Sequence, residues 1–468
     1  MTVQAAAEIL KAETVPQYLK DRWEESQLGA KLGGGVVDAE SALKGITVST
    51  IVGGNVNYAF CIKLPGLGKN KAVFLKQAPE FVAIFGPDGF PLTSERMQRE
   101  MDVYSEYKEL LGETLDKKYL PEIYYFDSEY CIAGVEFSLF VFCKQCGFSL
   151  LLLLFVCFDF CILVSIYYTI LKYTIIDCLF CCCCVTEKSM VVVMEFFDGF
   201  ELLDHVLVDK DKLNSLESER VASSLGDFMG RVHAGSHSSI VSSDRVAFLK
   251  QRFENREMRD VQLEFVFTKC YKEATDEQRA GLTLTKDFLA EVELLKHQYD
   301  GVGNENALVL CHGDLHPGSV MVKGNSVKVI DPEFTVYGPA GLDVGSLLSG
   351  YCLGAIHQAY SHEPELVTAC VENAESIWKA YSQALKEGGL SGAQIKAIEV
   401  ETVGFAVAEV CRTALEFAGG RKWLQFEDAT VKQASKTAAL RVVEHCMIAR
   451  HTGGIDLLFS ELRAVNVE

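Results

Sequence analysis

A chain of 468 residues exceeds what one hydrophobic core ordinarily organises, so two lobes or domains are the starting expectation. With 64 acidic residues against 44 lysines and arginines its formal net charge is −20, which repels phosphate backbones and sets a nucleic-acid partner aside. The first residues, with Glu8 and Glu13 and no basic start followed by an apolar run, match neither a secretory signal nor a transit peptide, so a cytoplasmic enzyme is expected.

Residues 45–80 alternate apolar and polar, as in ITVSTIVGGNVNYAFCIKL and KAVFLKQA, and predict strands joined by glycine-containing turns. In the turn Gly53-Gly54-Asn55-Val56-Asn57, glycines let backbone N–H groups approach phosphates closely, although a GG turn alone is more often a plain hairpin loop. Lys76 follows on the third strand, and the kinase resemblance given below implies a phosphate-binding lysine there. A lysine ending a strand is otherwise merely solvated. SERMQREMDVYSEYKELLG has apolar residues at helical spacing and predicts a helix capped by Ser94 and stopped at Gly112. On it Glu100 is the candidate ion-pair partner of Lys76, with Glu95 as the alternative.

The composition changes abruptly over residues 134–186, which are almost all Phe, Leu, Cys, Ile, Val, Tyr and Ser. Ten of the 17 cysteines lie between Cys131 and Cys184. The run is long enough to cross a bilayer, and only if it does so is a membrane partner implied. Yet its flanks, LPEIYYFD and MVVVMEFF, read as strands of one small sheet, which a single span would separate. Cys181 to Cys184 are too close in sequence to close one tetrahedral metal site easily. The residue set is the one written by thymine-rich codons, so a retained intron is the preferred reading. Without the segment, FDSEYCIA joins EKSMVVVMEFF as a two-strand hairpin. The remaining seven cysteines are scattered singly among apolar residues and read as small buried hydrophobes. Beyond the insert, Met194-Glu195-Phe196-Phe197 reads on its own as the end of a bare apolar strand; the order of motifs in the kinases it resembles, given below, implies a hinge there that offers backbone groups to adenine, with Glu195 and Phe197 as candidates.

From residue 199 onward the pattern turns helical, over 218–233, 275–299, 365–387 and 392–417, around one polar, strand-like island at 307–331. This divides the chain into an N-terminal, nucleotide-side lobe at 1–198 and a C-terminal lobe at 199–468. A small antiparallel sheet followed by a larger helical half is an α/β (α+β) bilobal architecture suited to a nucleotide-dependent transferase.

The densest motif is VLCHGDLHPGSVMVKGNSVKVIDPEFTVYGPAGLDVGSL, residues 309–347. Two apolar strands, ALVLCH and VKVID, bracket a loop in which Asp314 follows Gly313 at the tip, within reach of a substrate hydroxyl. Phosphoryl transfer needs a carboxylate to orient that hydroxyl and a metal to neutralise the phosphates. Asp331 and Glu333 offer the hard oxygen ligands Mg2+ prefers. A surface hairpin with polar turn residues is the plain alternative, and the length of the block argues against it.

HGDLHxGSVMV followed by VIDPEFxxYGPxGxDxG resembles the catalytic and metal loops of the methylthioribose kinases, within the wider group of aminoglycoside, choline and homoserine kinases. Ser319 in place of the wider group's Asn, and the Asp331-Pro332-Glu333 loop, are shared with the methylthioribose kinases. The resemblance runs from about residue 45 to 350, without the insert. It implies a protein-kinase-like fold, ATP and Mg2+ as cofactors, and phosphorylation of a small-molecule sugar, methylthioribose. It makes Asp314 the catalytic carboxylate and Asp331 and Glu333 the metal ligands, with Asp343 anchoring the catalytic loop. By the same resemblance Arg421, and next Arg412, would contact the substrate, although the local spacing is shorter and a paired-arginine signature is missing. Salt-bridged or solvated arginines are the alternative there. Another kinase of the same fold, or a membrane-tethered binding module that has lost catalysis, are the rival functions. A homodimer stays open.

Overall fold

The computed structural model describes residues 9–33, 37–51, 56–69, 71–128, 130–132, 139–142, 149–152, 187–303, 307–419 and 421–465. Gly53, Gly54, Asn55 and Gly420 lie outside the described residues, as does most of 134–186 including Cys181 to Cys184.

Period-two alternation builds the first sheet. Its strands are β1 (Thr47–Thr50), β2 (Tyr58–Lys63), β3 (Ala72–Ala78) and β4 (Ile123–Asp127). After the short segments β5 (Cys131–Ile132), β6 (Leu139–Phe142), β7 (Ser149–Leu152) and β8 (Glu187–Lys188), β9 (Met190–Glu195) completes it. The order is β1-β2-β3-β9-β4, antiparallel throughout. β9 is buried along nearly its whole length because both faces of the sheet are covered. Val192 and Met194 face a core shared with the helix Glu95–Tyr119 and the C-terminal half. Val191 and Val193 face the opposite way, onto residues 10–42. There the helix Val15–Ser26 presents Val15, Tyr18, Leu19 and Trp23 to Phe60, Ile62, Val73 and Leu75. Gln77, on β3, ties the two sides together by accepting from Leu10 N–H at 2.9 Å and donating to Ser189 Oγ at 2.9 Å.

The flanks of the insert pair as expected. β4 lies antiparallel to β9, and β5 to β8, with Ser189 N–H donating to Tyr130 O at 2.9 Å between them. No helix among the described residues is long and apolar enough to cross a membrane.

Two helix boundaries differ from expectation. Gly112 does not stop its helix: it takes φ 73°, ψ 166° and kinks it, and the chain resumes helical form to Tyr119, which is buried. Ser94 does not cap it, being itself helical with no capping side-chain bond; Thr93 Oγ1 accepts the Glu95 N–H at 3.3 Å instead. The stretch 275–299 is two helices, Asp276–Arg279 and Lys286–Tyr299. The break falls at Ala280 and Gly281, both at positive φ, and each piece has its own threonine cap, Thr275 and Thr285.

In the C-terminal half the helix Ser218–Ser236 packs against Pro364–Glu387 at close range. A Cβ on Gly226 would come within 2.3 Å of Ile377 O, so only glycine allows that approach. Gly341–Tyr360 is buried by Gly392–Ala414, Pro364–Glu387 and Ala429–Arg463, which explains its unpatterned apolar sequence. The strand-like island differs from the expected pair of strands around one loop. After β10 (Glu201–Leu202), β11 (Leu308–Cys311) pairs not with the VKVID strand but with a later strand. β12 (Val320–Lys323) and β13 (Ser326–Val329) form a hairpin with β10 alongside, and β14 (Val336–Pro339) is the partner of β11. The loop 312–319 therefore joins two small sheets, and 330–335 returns between them. The seven single cysteines are all free and buried, as expected.

The whole is the bilobal protein-kinase-like fold, an antiparallel sheet and its helix followed by a larger helical half.

Candidate active site

On β3 the side chain of Lys76 is buried and donates to Glu100 Oε2 at 2.7 Å. Glu100, not Glu95, is the partner because it shares the inward face of its helix with Met97, Met101 and Tyr104. Glu95 is exposed and pairs with Arg99. Lys76 also forms an ion pair with Asp331. Burial opposes the ammonium charge, but Asp331 and Glu100 outweigh it and hold the lysine pKa well above its ordinary value. Burial likewise raises Glu100, which Lys76 only partly offsets.

Asp331 stands at φ 66°, the left-handed region that only glycine enters freely. The conformation is held from two sides, by Lys76 at the carboxylate and by Tyr104 Oη, which accepts the Asp331 N–H at 3.2 Å. Its side chain keeps 46% of its surface exposed, whereas Glu333 is buried. Burial also works against the Asp331 charge, but Lys76 outweighs it and lowers the pKa. Glu333 is raised, by burial and then by Asp331. Carboxylate oxygens of Glu100, Asp331 and Glu333 lie within 4.8 Å of one another. With Lys76 and Arg96 the cluster holds three acidic groups against two basic ones. Asp331, half open to the cleft, and buried Glu333 offer two carboxylates that fit Mg2+, which keeps several waters and takes few protein ligands.

Asn57 is turned to this cluster: its Nδ2 donates to Glu333 Oε2 at 2.9 Å. Sequence reasoning missed Arg96, one turn before Glu100. It is fully buried and donates to Val56 O, Asn57 Oδ1, Pro79 O, Leu92 O and Thr93 O, and stands 3.6 Å from Glu333. No local pattern marks it, since its partners come from three separate segments.

Asp343, in the first turn of Gly341–Tyr360, accepts the backbone N–H groups of His312 at 2.7 Å and Gly313 at 2.9 Å. His233 Nε2 meets the same carboxylate at 3.2 Å. Gly313 has φ 87° and a Cβ there would lie 1.9 Å from Phe334 O, so the loop passes Phe334 only as glycine. This fixes Asp314, whose side chain is 26% exposed and lies 3.6 Å from His316 Nε2. Burial pushes Asp314 up to about 6; Arg421 and Arg412 pull against it and Glu409 adds to it. Burial and Arg421 hold His316 down at about 3, so it is neutral; its Nδ1 accepts the Gly318 N–H at 2.9 Å. Ser319 Oγ donates to Asp314 O at 2.9 Å. The loop connects to the carboxylate cluster through His312 Nε2 against Ile330 O, 2.9 Å, and Ile330 N–H to Ser319 O, 3.0 Å.

Arg412 and Arg421 both reach Glu409, at 2.8 and 3.1 Å, and Arg421 also meets Thr413 Oγ1 at 3.3 Å. They are salt-bridged and also neighbours of Asp314. Glu409 was not singled out from sequence; it lies one turn before Arg412, and that spacing was its only signal. Gln262, Phe267, Phe405 and Glu409 line a small cleft beneath Asp314.

At the end of β9, Glu195 N–H donates to Glu122 O at 2.8 Å, and its carboxylate meets Lys328 at 3.5 Å. Lys328 lies 5.2 Å from the Phe197 ring centre. The Glu195 N–H is therefore committed to the sheet, and an adenine contact there would fall to other backbone groups.

Residues 187–366 match the phosphotransferase enzyme family. The chain is a small-molecule phosphotransferase, a kinase acting on a hydroxyl acceptor. Within that class it is related to methylthioribose kinases. It is 26% identical over 268 residues to the methylthioribose kinase of Exiguobacterium sibiricum, covering 53% of this chain and 67% of that one. It is 23% identical over 341 residues to methylthioribose kinase 1 of Oryza sativa, covering 71% and 60%. Among solved structures, a choline kinase from Cryptosporidium parvum aligns with TM-score 0.45 and 14% identity over 97% of this chain and 99% of that one.

Proposed function

We propose that the chain is an ATP-dependent methylthioribose kinase that phosphorylates the 1-hydroxyl of S-methyl-5-thioribose. The observation that carries this reading is Asp314, beside Arg412 and Arg421, on a loop bonded directly to the strand end that bears Asp331 and Glu333. Asp314, ionised above about pH 6, accepts the hydrogen bond of the acceptor hydroxyl. It takes the proton as that oxygen bonds to the γ-phosphorus and the bond to the departing ADP oxygen breaks. Lys76, held by Glu100, places a fixed positive charge at the phosphates. Asp331 and Glu333 would hold Mg2+, which when bound neutralises phosphate charge. Arg421, with Arg412 second, supplies positive charge on the acceptor side, softened by Glu409.

By sequence position the turn 53–57 is assigned to the phosphates and residues 194–197 to the adenine. Residues 1–198 are then the nucleotide half and 199–468 the acceptor half, with 134–186 an insertion in the sequence between β4 and β9. The setting is cytoplasmic and the partner a small sugar. Coupled ADP release by the full chain with MgATP and a panel of methylthioribose, choline, homoserine and an aminoglycoside tests this. Selective turnover of methylthioribose supports it, and turnover of another member alone moves the substrate. No turnover on any acceptor, with ATP still bound, overturns the catalytic reading.

A further inference from the structure

We infer that Arg96 and Asn57 form a latch that couples nucleotide binding to divalent-cation binding at Glu333; this rests on Asp331 and Glu333 holding the cation. Asn57 immediately precedes β2, and Arg96 opens the helix that carries Glu100. Arg96 donates twice to Asn57 Oδ1, from Nη2 at 2.9 Å and Nε at 3.3 Å. With its oxygen so occupied, the amide can present only its N–H2 to the other side, where it donates to Glu333 Oε2 at 2.9 Å. Arg96 Nε stands 3.6 Å from the same oxygen. Among the described residues Glu333 Oε1 accepts no hydrogen bond, so Oε2 is held by the latch and Oε1 is the atom left for a ligand.

The guanidinium is fixed in turn. Its Nη1 donates to Pro79 O at 2.8 Å, Leu92 O at 3.1 Å and Thr93 O at 2.6 Å, and its Nη2 to Val56 O at 3.3 Å. Backbone from both sides of the loop 79–93 and from Val56 is thereby gathered on one buried cation. A nucleotide that shifts Val56 and Asn57 also shifts the Glu333 carboxylate. By reciprocity, a cation that fixes Glu333 fixes Asn57. Arg96 is on this account a positioning residue, acting through Asn57 and Glu333 with no contact to the reacting atoms.

The test is ADP affinity of the full chain by calorimetry, with and without Mg2+, for the wild type, Asn57→Ala, Arg96→Lys and the double variant. Arg96→Lys keeps the charge but not the bidentate hold. Asn57→Ala, at a partly exposed position, keeps the test open should the buried substitution fail to fold. The wild type is expected to bind ADP about ten-fold tighter with Mg2+, within the usual range of site coupling. In each single variant that tightening falls toward one-fold, and the double variant loses nothing further, as members of one device do. Undiminished Mg2+ tightening in Asn57→Ala, or an equal loss of affinity with and without the metal, would overturn the latch. A wild type whose ADP affinity ignores Mg2+ would instead overturn the metal assignment on which the latch rests.

Discussion

Replacing Asp314 with Asn should lower turnover by orders of magnitude and stabilise the protein. In the folded chain burial raises this carboxyl from 3.8 to about 6. At about 1.4 kcal/mol per pH unit the ionised form is disfavoured by about 3 kcal/mol, and partial exposure reduces this to roughly 1–3 kcal/mol. The raised value favours the protonated form, so that stability is fully present below pH 3.8 and is lost as pH rises through about 6. Asparagine carries no charge to desolvate, and Arg412 and Arg421 keep Glu409 as a partner. Thermal melts of the full chain at pH 4, 6 and 7.5 should show the variant ahead of wild type by a few °C at pH 7.5 and level with it at pH 4. Turnover should fall by about 10²–10⁴-fold, the range for a lost general base. A variant less stable than wild type at pH 7.5, or an advantage that does not change with pH, would refute the argument that Asp314 is held in an unfavourable charge state for catalysis.

Lys76→Met should lower kcat by at least about 100-fold and destabilise the fold by roughly 3–5 kcal/mol, because Glu100 is left buried without its cation; steady-state kinetics and urea melts measure both. Trp23→Ala should cost about 3–5 kcal/mol by emptying the face of the sheet covered by residues 10–42, with kcat at 25 °C nearly unchanged in the fraction that remains folded. A chain in which a short turn replaces 134–186 should keep the far-ultraviolet dichroism of the sheet and the wild-type KM for ATP, since β4 and β9 pair without it. Loss of the N-terminal sheet in that chain would show the segment to be structural.

The meeting of Lys76 with Glu100 and the closeness of Asp331 to Glu333 followed from local strand and helix patterns, while the roles given to Asp314, Asp331 and Glu333 came with the family resemblance. The choice of Glu100 over Glu95 follows from helical phase, since Glu100 shares a face with Met97 and Met101. Arg96 and Glu409 were not legible. Their partners lie on other elements, and only the packed fold shows that a lone arginine gathers five acceptors. The cover formed by Val15, Tyr18, Leu19 and Trp23 was written in their helical spacing, but nothing local says that a sheet lies opposite. Gly112 reads as a terminator by propensity; Leu115 and Tyr119, packed into the core beyond it, restart the helix. The β11–β14 pairing escaped the sequence because the nearer strand, β13, is an equally good partner by composition, and β12 takes it first through a two-residue turn.

The central claim is tested most directly by phosphorus NMR of the products formed by the full chain from MgATP and S-methyl-5-thioribose. The account predicts ADP together with a new phosphate monoester coupled to the anomeric proton, absent with the Asp314→Asn variant. A phosphate on a different oxygen, or the same product formed equally fast by that variant, would contradict it.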